Sequence, residues 1–211
     1  MESLFSFGFL AIATSGVIVA AVSGVLAAAR KGMDIIGAII VAMVTAVGGG
    51  TTRDVLLGRY PVFWVAQPWY LAVAIGAAIV TIAYARKHAV PMRALLVVDA
   101  VALAVFAIVG AEIAIAMRAG WFVVIIMAAI TGSVGGVLRD ILCAEVPLLL
   151  RGEVYVSATV VGAGSYLIML QLAVPEAVAS AVAITLAAAV RLAAIVYDIR
   201  VPKVSAAARG E

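Results

Sequence analysis

An all-α membrane protein is the fold class this sequence predicts, with seven transmembrane helices arranged as two inverted three-helix repeats plus a seventh helix. Three observations lead there. Hydrophobic residues make up 67% of the 211 residues and charged residues only 12%. With a mean hydropathy of +1.27, that is too little charge to wet the surface of a soluble domain of this length. Apolar runs long enough to cross a bilayer, about 20 residues each, recur seven times. The first part of the chain also reappears in the second at a fixed offset.

The first run, 4–29, follows Glu2 rather than a basic n-region and is too long for the apolar core of a signal peptide, so it reads as a membrane helix. Runs 35–58 and 68–85 complete a first unit over 4–85. Segment 86–93, Arg-Lys-His-Ala-Val-Pro-Met-Arg, is a polar linker, and His88 among Arg86, Lys87 and Arg93 reads as a solvated loop histidine rather than a ligand. Runs 94–117, 119–143 and 154–174 form a second unit over 94–174. A seventh helix follows at 177–199, then a solvated tail at 202–211. Trp64, Trp69 and Trp121 read as interfacial anchors. The single cysteine, Cys143, excludes an intrachain disulfide and argues against a cysteine-based metal site. No nucleophile–base pair, metal-ligand cluster or phosphate loop stands out, so neither an enzyme nor a bound cofactor is expected. The formal charge is +3 and the pI near 9.2. Because the basic residues cluster at helix ends, anionic lipid headgroups rather than nucleic acid are the expected partners.

The repeat is ungapped. Thr45-Ala-Val-Gly-Gly-Gly-Thr-Thr-Arg-Asp54 returns as Thr131-Gly-Ser-Val-Gly-Gly-Val-Leu-Arg-Asp140, an offset of 139 − 53 = 86 residues. The same offset pairs Gly24 with Gly110, Pro61 with Pro147, Trp69 with Tyr155 and Gly76 with Gly162. Three spans is an odd number, so the second copy starts on the other side of the membrane and the copies are inverted. One side receives Arg30, Lys31, Arg86, Lys87, Arg93, Arg151, Arg200, Lys203 and Arg209, the other Arg59, Arg118 and little else. The positive-inside rule then puts the C-terminus in the cytoplasm and the N-terminus outside.

Both Gly-Gly-x-x-Arg-Asp motifs fall late in the middle helix of a repeat. Gly50, Arg53 and Asp54 share a helical face, as do Gly136, Arg139 and Asp140. A central charge costs about 2.5–3.5 kcal/mol to insert, against about 0.3–0.6 returned by a Leu or Val. Such a face looks inward, to a partner or a wet cavity. Gly48-Gly49-Gly50 invites a kink or an unwound turn. Freed carbonyls at membrane depth survive only when buried or lining a cavity, where they become cation ligands. Thr45, Thr131 and Ser133 add hydroxyls beside Gly135 and the other glycines. The alternative is that the glycines serve close packing and Arg-Asp is a structural staple; two copies favour an ion or substrate path. Pro61 and Pro147 are expected to end the middle helices. Asp99 and Glu112, whose repeat mates are Ala13 and Leu26, are possible pore acids. Arg191 is about two turns from its helix end and is expected to snorkel.

The run Ser23-Gly24…Arg30-Lys-Gly-Met-Asp34, then Val-Gly-Gly-Gly-Thr-Thr-Arg-Asp54, then Pro-Val-Phe-Trp64, resembles the bacterial branch of the trimeric intracellular cation (TRIC) channels, also labelled a glycine-transporter domain family. Asp99, Val-Gly-Gly-Val-Leu-Arg-Asp140, Glu-Val-Pro147 and Leu-Arg-Gly-Glu-Val-Tyr155 extend the resemblance through the second half. It implies a homotrimer in a bacterial or archaeal cell membrane, with a pore in each subunit that passes monovalent cations, chiefly potassium. The second and fifth helices, kinked, would line that pore. The family often has an aspartate where Ala13 stands and a lysine where Ile113 stands. Losing both leaves the charge balanced and predicts altered gating or tuning.

A cation channel is therefore the first expectation, with K+ and Na+ as permeating ions and Arg53 and Arg139 as candidate gates held by Asp54 and Asp140. A secondary transporter of a small zwitterion such as glycine is the alternative, since inverted repeats are a common carrier plan.

Overall fold

The computed structural model describes residues 7–151 and 154–200. The expected tail at 202–211, with Lys203 and Arg209, lies outside the described residues, as does Glu2. The chain folds into α1 (Phe7–Arg30), α2 (Ile35–Leu56), a single-turn α3 (Phe63–Ala66), α4 (Trp69–Ala85), α5 (Met92–Ala116), α6 (Trp121–Leu142), α7 (Val156–Gln171) and α8 (Glu176–Val196), with a 3-10 turn at Leu148–Leu150 before α7. Five of these, α1, α2, α5, α6 and α8, are long and apolar enough to cross a bilayer. At 17 and 16 residues, α4 and α7 are about 24–26 Å long, short of a hydrocarbon core of about 30 Å.

The spacing of 86 residues seen in the sequence recurs in the helix boundaries. Shifting α2 by 86 gives 121 and 142, the bounds of α6. The single turn α3 has its counterpart in the 3-10 turn, and α4 in α7. Helix α5 is the most enclosed, packing against α1, α6, α7 and α8, while α2 packs against α1, α4 and α6.

Between helices in lipid there is little hydrophobic gain, so close van der Waals contact holds the bundle. The residues chosen are small. The buried face of α1 runs Ala13, Gly16, Val17, Ala20, Ala21, Gly24, Ala27, Ala28, a helical spacing of three and four. A Cβ at Gly24 would meet Ala42 Cα at 2.6 Å, and one at its mate Gly110 would meet Thr131 Oγ1 at 2.5 Å. Both repeats thus seat their first helix on their second in the same way.

The two middle helices end through a residue in the left-handed region, not through proline. At the end of α2, Gly58 has φ 65° and Arg59 N–H returns to Asp54 O at 2.8 Å. At the end of α6, Ala144 takes that place with φ 51°, and Glu145 N–H returns to Asp140 O at 2.9 Å. This 6→1 closure satisfies a last carbonyl of the helix. Pro61 and Pro147 follow several residues later, which corrects the expectation that they end the middle helices. Helix α7 ends the same way at Ala173 (φ 56°), so it stops at Gln171 rather than continuing to 174.

The repeat mates Gly58 and Ala144 differ in a testable way, because a Cβ in the left-handed region costs about 1–2 kcal/mol. Ala144 is exposed and carries no other burden. The variant Ala144→Gly should raise the thermal unfolding midpoint of the detergent-solubilised protein, by about 1 kcal/mol in stability; Gly58→Ala should lower it by a similar amount.

Candidate functional site

The two middle helices cross backbone to backbone. Gly49 of α2 lies against Thr131 of α6, where a Cβ would come 2.2 Å from the Thr131 carbonyl oxygen. Gly135 of α6 lies against Thr45 of α2, where a Cβ would come 2.3 Å from the Thr45 carbonyl oxygen. These are repeat mates making reciprocal contacts, and the contacts run antiparallel. Gly48 packs on Leu138, Gly50 on the Phe63 ring, and Gly136 on the Tyr155 hydroxyl. Both helices stay continuously helical through their glycines. The unwound turn with freed carbonyls is therefore not formed, and the glycines serve close approach instead. The hydroxyls follow suit. Thr45 Oγ1 donates to Val41 O (2.6 Å), Thr131 Oγ1 to Met127 O (2.6 Å) and Ser133 Oγ to Ala129 O (2.6 Å), each four residues back along its own helix.

Beside this crossing lie two chambers at repeat-related positions. The first holds about 50 Å³ and is lined by Gly50, Arg53, Arg59 and Tyr70, with Ala13 near the start of α1 and Ile113 near the end of α5. The second holds about 160 Å³ and is lined by Asp140, Glu145 and Arg151, with Arg30 and Lys31 at the end of α1 and Leu95 near the start of α5. Phe9 in the first maps to Leu95 in the second (9 + 86), Arg59 to Glu145 (59 + 86), and Ile113 to Ala27 (113 − 86). The first chamber has room for about three to five waters at roughly 10–15 Å³ each. It is a pocket, not a through-channel.

In each repeat a buried arginine is folded back onto the aspartate that follows it. Arg53 donates from Nε (3.0 Å) and Nη2 (2.8 Å) to Asp54 Oδ1, and its guanidinium lies 5.7 Å from the Phe63 ring centroid, within cation–π range. Asp54 Oδ2 accepts the Phe63 backbone N–H at 2.7 Å, and Arg59 Nη1 reaches Asp54 Oδ1 at 3.3 Å. In the second repeat Arg139 donates from Nε to Asp140 Oδ1 (2.8 Å), while Asp140 Oδ2 accepts the Leu148 N–H (2.9 Å). Arg139 Nη1 also bonds Ser23 of α1 and Asp99 of α5. The Asp99 carboxylate and the Tyr155 hydroxyl both lie beside Gly136.

The charges around the two arginines therefore differ. Arg139 has two carboxylates, because Asp99 joins Asp140. Arg53 has one, which it shares with Arg59, because the mate of Asp99 is Ala13. Where Arg59 enters the first chamber, Glu145 enters the second and pairs with Lys31 and, at 2.8 Å, Arg151. The hydrogen bond and charge of Lys31, with a smaller contribution from Arg151, hold the Glu145 carboxyl below the usual carboxylate range.

Of the residues expected in a pathway, Gly50, Arg53 and Asp140 line a chamber, and Asp54 and Arg139 lie beside one as their ion partners. Thr45, Gly48, Gly49, Thr131, Gly135 and Gly136 form interhelix contacts, and Ser133 bonds its own helix. Asp99 is buried in the Arg139 network and does not reach an interface. Glu112 lines neither chamber; it accepts the Ser180 hydroxyl of α8 instead. Trp64 is half-buried, donating to Thr51 Oγ1 at 2.9 Å, so it is a tether to α2 more than a surface anchor. Arg191 does not snorkel: it is 1% exposed, with its guanidinium 4.9 Å from the Tyr155 ring centroid. Sequence reasoning missed Ser23, Tyr70, Glu145 and Tyr155 as site residues. Tyr155 carried one signal, its position as the repeat mate of Trp69.

Comparison with known proteins repeats the duplication. Residues 10–86 and 96–171 each match the family model described as Glycine transporter. The chain is 39% identical over 200 residues to the UPF0126 inner membrane protein YadS of Escherichia coli strain K12, covering 92% of this chain and 91% of that protein. Among solved structures it resembles the TRIC trimeric intracellular cation channel orthologue from Rhodobacter sphaeroides, with a TM-score of 0.86, 38% identity and coverage of 90% of this chain and 98% of the other. A second structure, described for conductance through TRIC cation channels, has a TM-score of 0.83 at 34% identity, covering 95% and 98% of the two chains.

The reciprocal glycine contact sets a prediction. Gly49→Ala and Gly135→Ala each force a methyl onto a backbone oxygen and should destabilise the protein by about 1–3 kcal/mol, read as a lowered melting midpoint in detergent. Gly164→Ala in α7, where a Cβ meets nothing within 4 Å, should be neutral or stabilising by about 0.5–1 kcal/mol. Equal effects at the three positions would remove the close crossing from the account.

Proposed function

The chain belongs to the glycine-transporter family, and we propose that it works as a cation channel whose path runs within each subunit between the two chambers. The observation that carries this reading is the pair of repeat-related chambers flanking the α2–α6 crossing, in a fold shared with TRIC cation channels. Antiparallel α2 and α6 support an inverted 3+3 arrangement with α8 as the seventh span. The first chamber then opens outward and the second toward the cytoplasm, with the N-terminus outside and the C-terminus inside. A homotrimer follows by likeness to the trimeric channel orthologue.

A permeating K+ or Na+ would enter a chamber lined by Arg53 or one beside Arg139. A fixed guanidinium repels a cation, so Asp54, Asp140 and Asp99 act by neutralising it. Between the chambers, Arg139 ties α1, α5 and α6 together through Ser23, Asp99 and Asp140. In this conformation the path is shut there, and conduction requires that knot and the Gly49–Gly135 crossing to loosen. With α2 and α6 unbroken, side-chain oxygens and water rather than freed carbonyls ligate the ion.

Two chambers on opposite sides of a shut crossing are also the geometry of an alternating-access carrier, and the family's description favours glycine as its cargo. Planar-bilayer recording of the purified protein separates the two. Ohmic current under a potassium gradient is the expected result; saturable, gradient-coupled uptake of glycine without such current would replace the channel with the carrier.

Arg139→Gln should raise open probability, by up to about fiftyfold at 100 mV if a full charge crosses the field, equivalent to about 2.3 kcal/mol. Ala13→Asp with Ile113→Lys places an acid and a base in the first chamber, where both positions face Arg53. That double variant should change single-channel conductance or gating; wild-type records from it would mean that the first chamber is off the path.

A further inference from the structure

Among the described residues four carboxylates are buried, and three of them, Asp54, Asp99 and Asp140, lie against an arginine. Glu112, in the last turns of α5, does not. It is 7% exposed, and among the described residues no lysine, arginine or histidine forms an ion pair with it. Its polar neighbour is the buried Ser180 hydroxyl of α8. The surroundings are otherwise apolar, with Ala111, Ala114, Ala179 and Ala183 in one buried cluster. We infer that Glu112 is a proton-binding site, its carboxyl held in the acid form in the seam between α5 and α8, and that release of the proton loosens this seam.

A count of hydrogen-bond donors carries the inference. Ser180 Oγ lies within hydrogen-bond distance of Glu112 Oε1 and, at 2.9 Å, of the Glu176 carbonyl oxygen. A hydroxyl has one proton, whereas a carbonyl and an ionised carboxylate only accept. With Glu112 ionised, the carboxylate takes the one Ser180 proton and the carbonyl contact goes unmade. With a proton on Glu112 both bonds form, Glu112 donating to Ser180 Oγ and Ser180 donating to the Glu176 carbonyl. Desolvation acts in the same direction, because a carboxylate taken out of water without a counter-charge takes up a proton instead.

The groups that face Glu112 bring no positive charge. They are Tyr166 from α7 and the exposed Glu176 from α8. The other helices packed on α5 are α1, α2 and α6. Arg30, Arg139 and Asp140 of α1 and α6 stand by the start of α5, at the far end from Glu112. Arg53 and Asp54 of α2 belong to the first chamber, which Glu112 does not line. Arg118, in the turn after α5, is exposed. The repeat mate Leu26 is equally buried, at 6% exposed, so the scaffold needs no carboxyl at this place. What differs is α8, which lies beyond the 86-residue repeat and brings Ser180 to Glu112.

The test is infrared spectroscopy of the purified full-length chain in detergent, wild type against Glu112→Gln, which keeps the shape and a donor but cannot ionise. The carbonyl stretch of a protonated carboxyl group, which ionised carboxylates lack, should appear in the wild type at neutral pH. It should shift in protein made with isotope-labelled glutamate and vanish in the variant. The isotope comparison needs the wild type alone, so it decides the matter even if the variant fails to fold. Thermal unfolding gives a second readout. A fold that binds a proton more tightly than the unfolded chain loses stability as pH rises. The wild-type midpoint should therefore fall by several degrees relative to Glu112→Gln between about pH 5 and about pH 9. No glutamate band at neutral pH, a band that survives in the variant, or a midpoint difference that is the same at both pH values would overturn the inference.

Discussion

Two guanidinium groups inside an apolar helical bundle are the constraint from which most of this structure follows. Residues i and i+1 of a helix point to different faces, so an arginine can reach the aspartate next to it only by folding back across the helix surface. Arg53 and Arg139 both do so, Arg53 placing two donors on one carboxylate oxygen and Arg139 one, with its Nη2 2.7 Å from the same oxygen. The second oxygen is thereby left for something else. In both repeats it takes the backbone N–H of the segment that follows, Phe63 or Leu148. One ion pair therefore satisfies a buried charge and pins the connection between the second and third helices of its repeat. Removing Asp54 would take away the only carboxylate that Arg53 meets among the described residues, which costs about 3–5 kcal/mol, and would release that connection as well; in the second repeat Asp99 would still face Arg139.

The glycines make this burial possible. With Gly49 on the Thr131 carbonyl and Gly135 on the Thr45 carbonyl, the two backbones leave no room for lipid or water at the crossing. The arginines, about one turn beyond their glycines along each helix, point to opposite ends of the contact. Two chambers on either side of one tight crossing are the geometric result of a duplicated Gly-Gly-x-x-Arg-Asp motif on antiparallel helices.

Much of the architecture was legible in the sequence because it was written twice. The ungapped 86-residue offset anticipated that α6 would have the bounds of α2, and the charge density confined the Arg-Asp motifs to the interior. What failed was reading a local propensity as a local structure. Three glycines in a row weaken a helix, yet at 48–50 tertiary contact on both sides holds it intact. Proline was taken for the terminator of α2 and α6, but a left-handed residue reached by a 6→1 hydrogen bond ends them earlier, and at Ala144 that residue is not glycine. Arg191 lies near enough to its helix end to snorkel; it is buried instead, over the Tyr155 ring just before α7. Long-range partners such as Ser23 with Arg139 carry no signal in a single sequence, since serine at that position reads as one more small residue of α1.

The asymmetries show how the duplicated scaffold has diverged. Ala13 stands against Asp99, and Arg59 against Glu145, so each difference leaves the first repeat more positive at that place than the second. They reinforce each other. In the second repeat Arg139 is held by Asp140, by Asp99 from α5 and by Ser23 from α1, three elements converging on one side chain. In the first, Arg53 depends on Asp54, which Arg59 also draws upon, and on the face of Phe63. The same side chain at the same place in the fold is fixed in one repeat and lightly held in the other. A scaffold with true two-fold symmetry would present equal barriers from both sides. Here the second repeat's arginine ties three helices together, and the first repeat's is held by the aspartate of its own helix and the Phe63 ring.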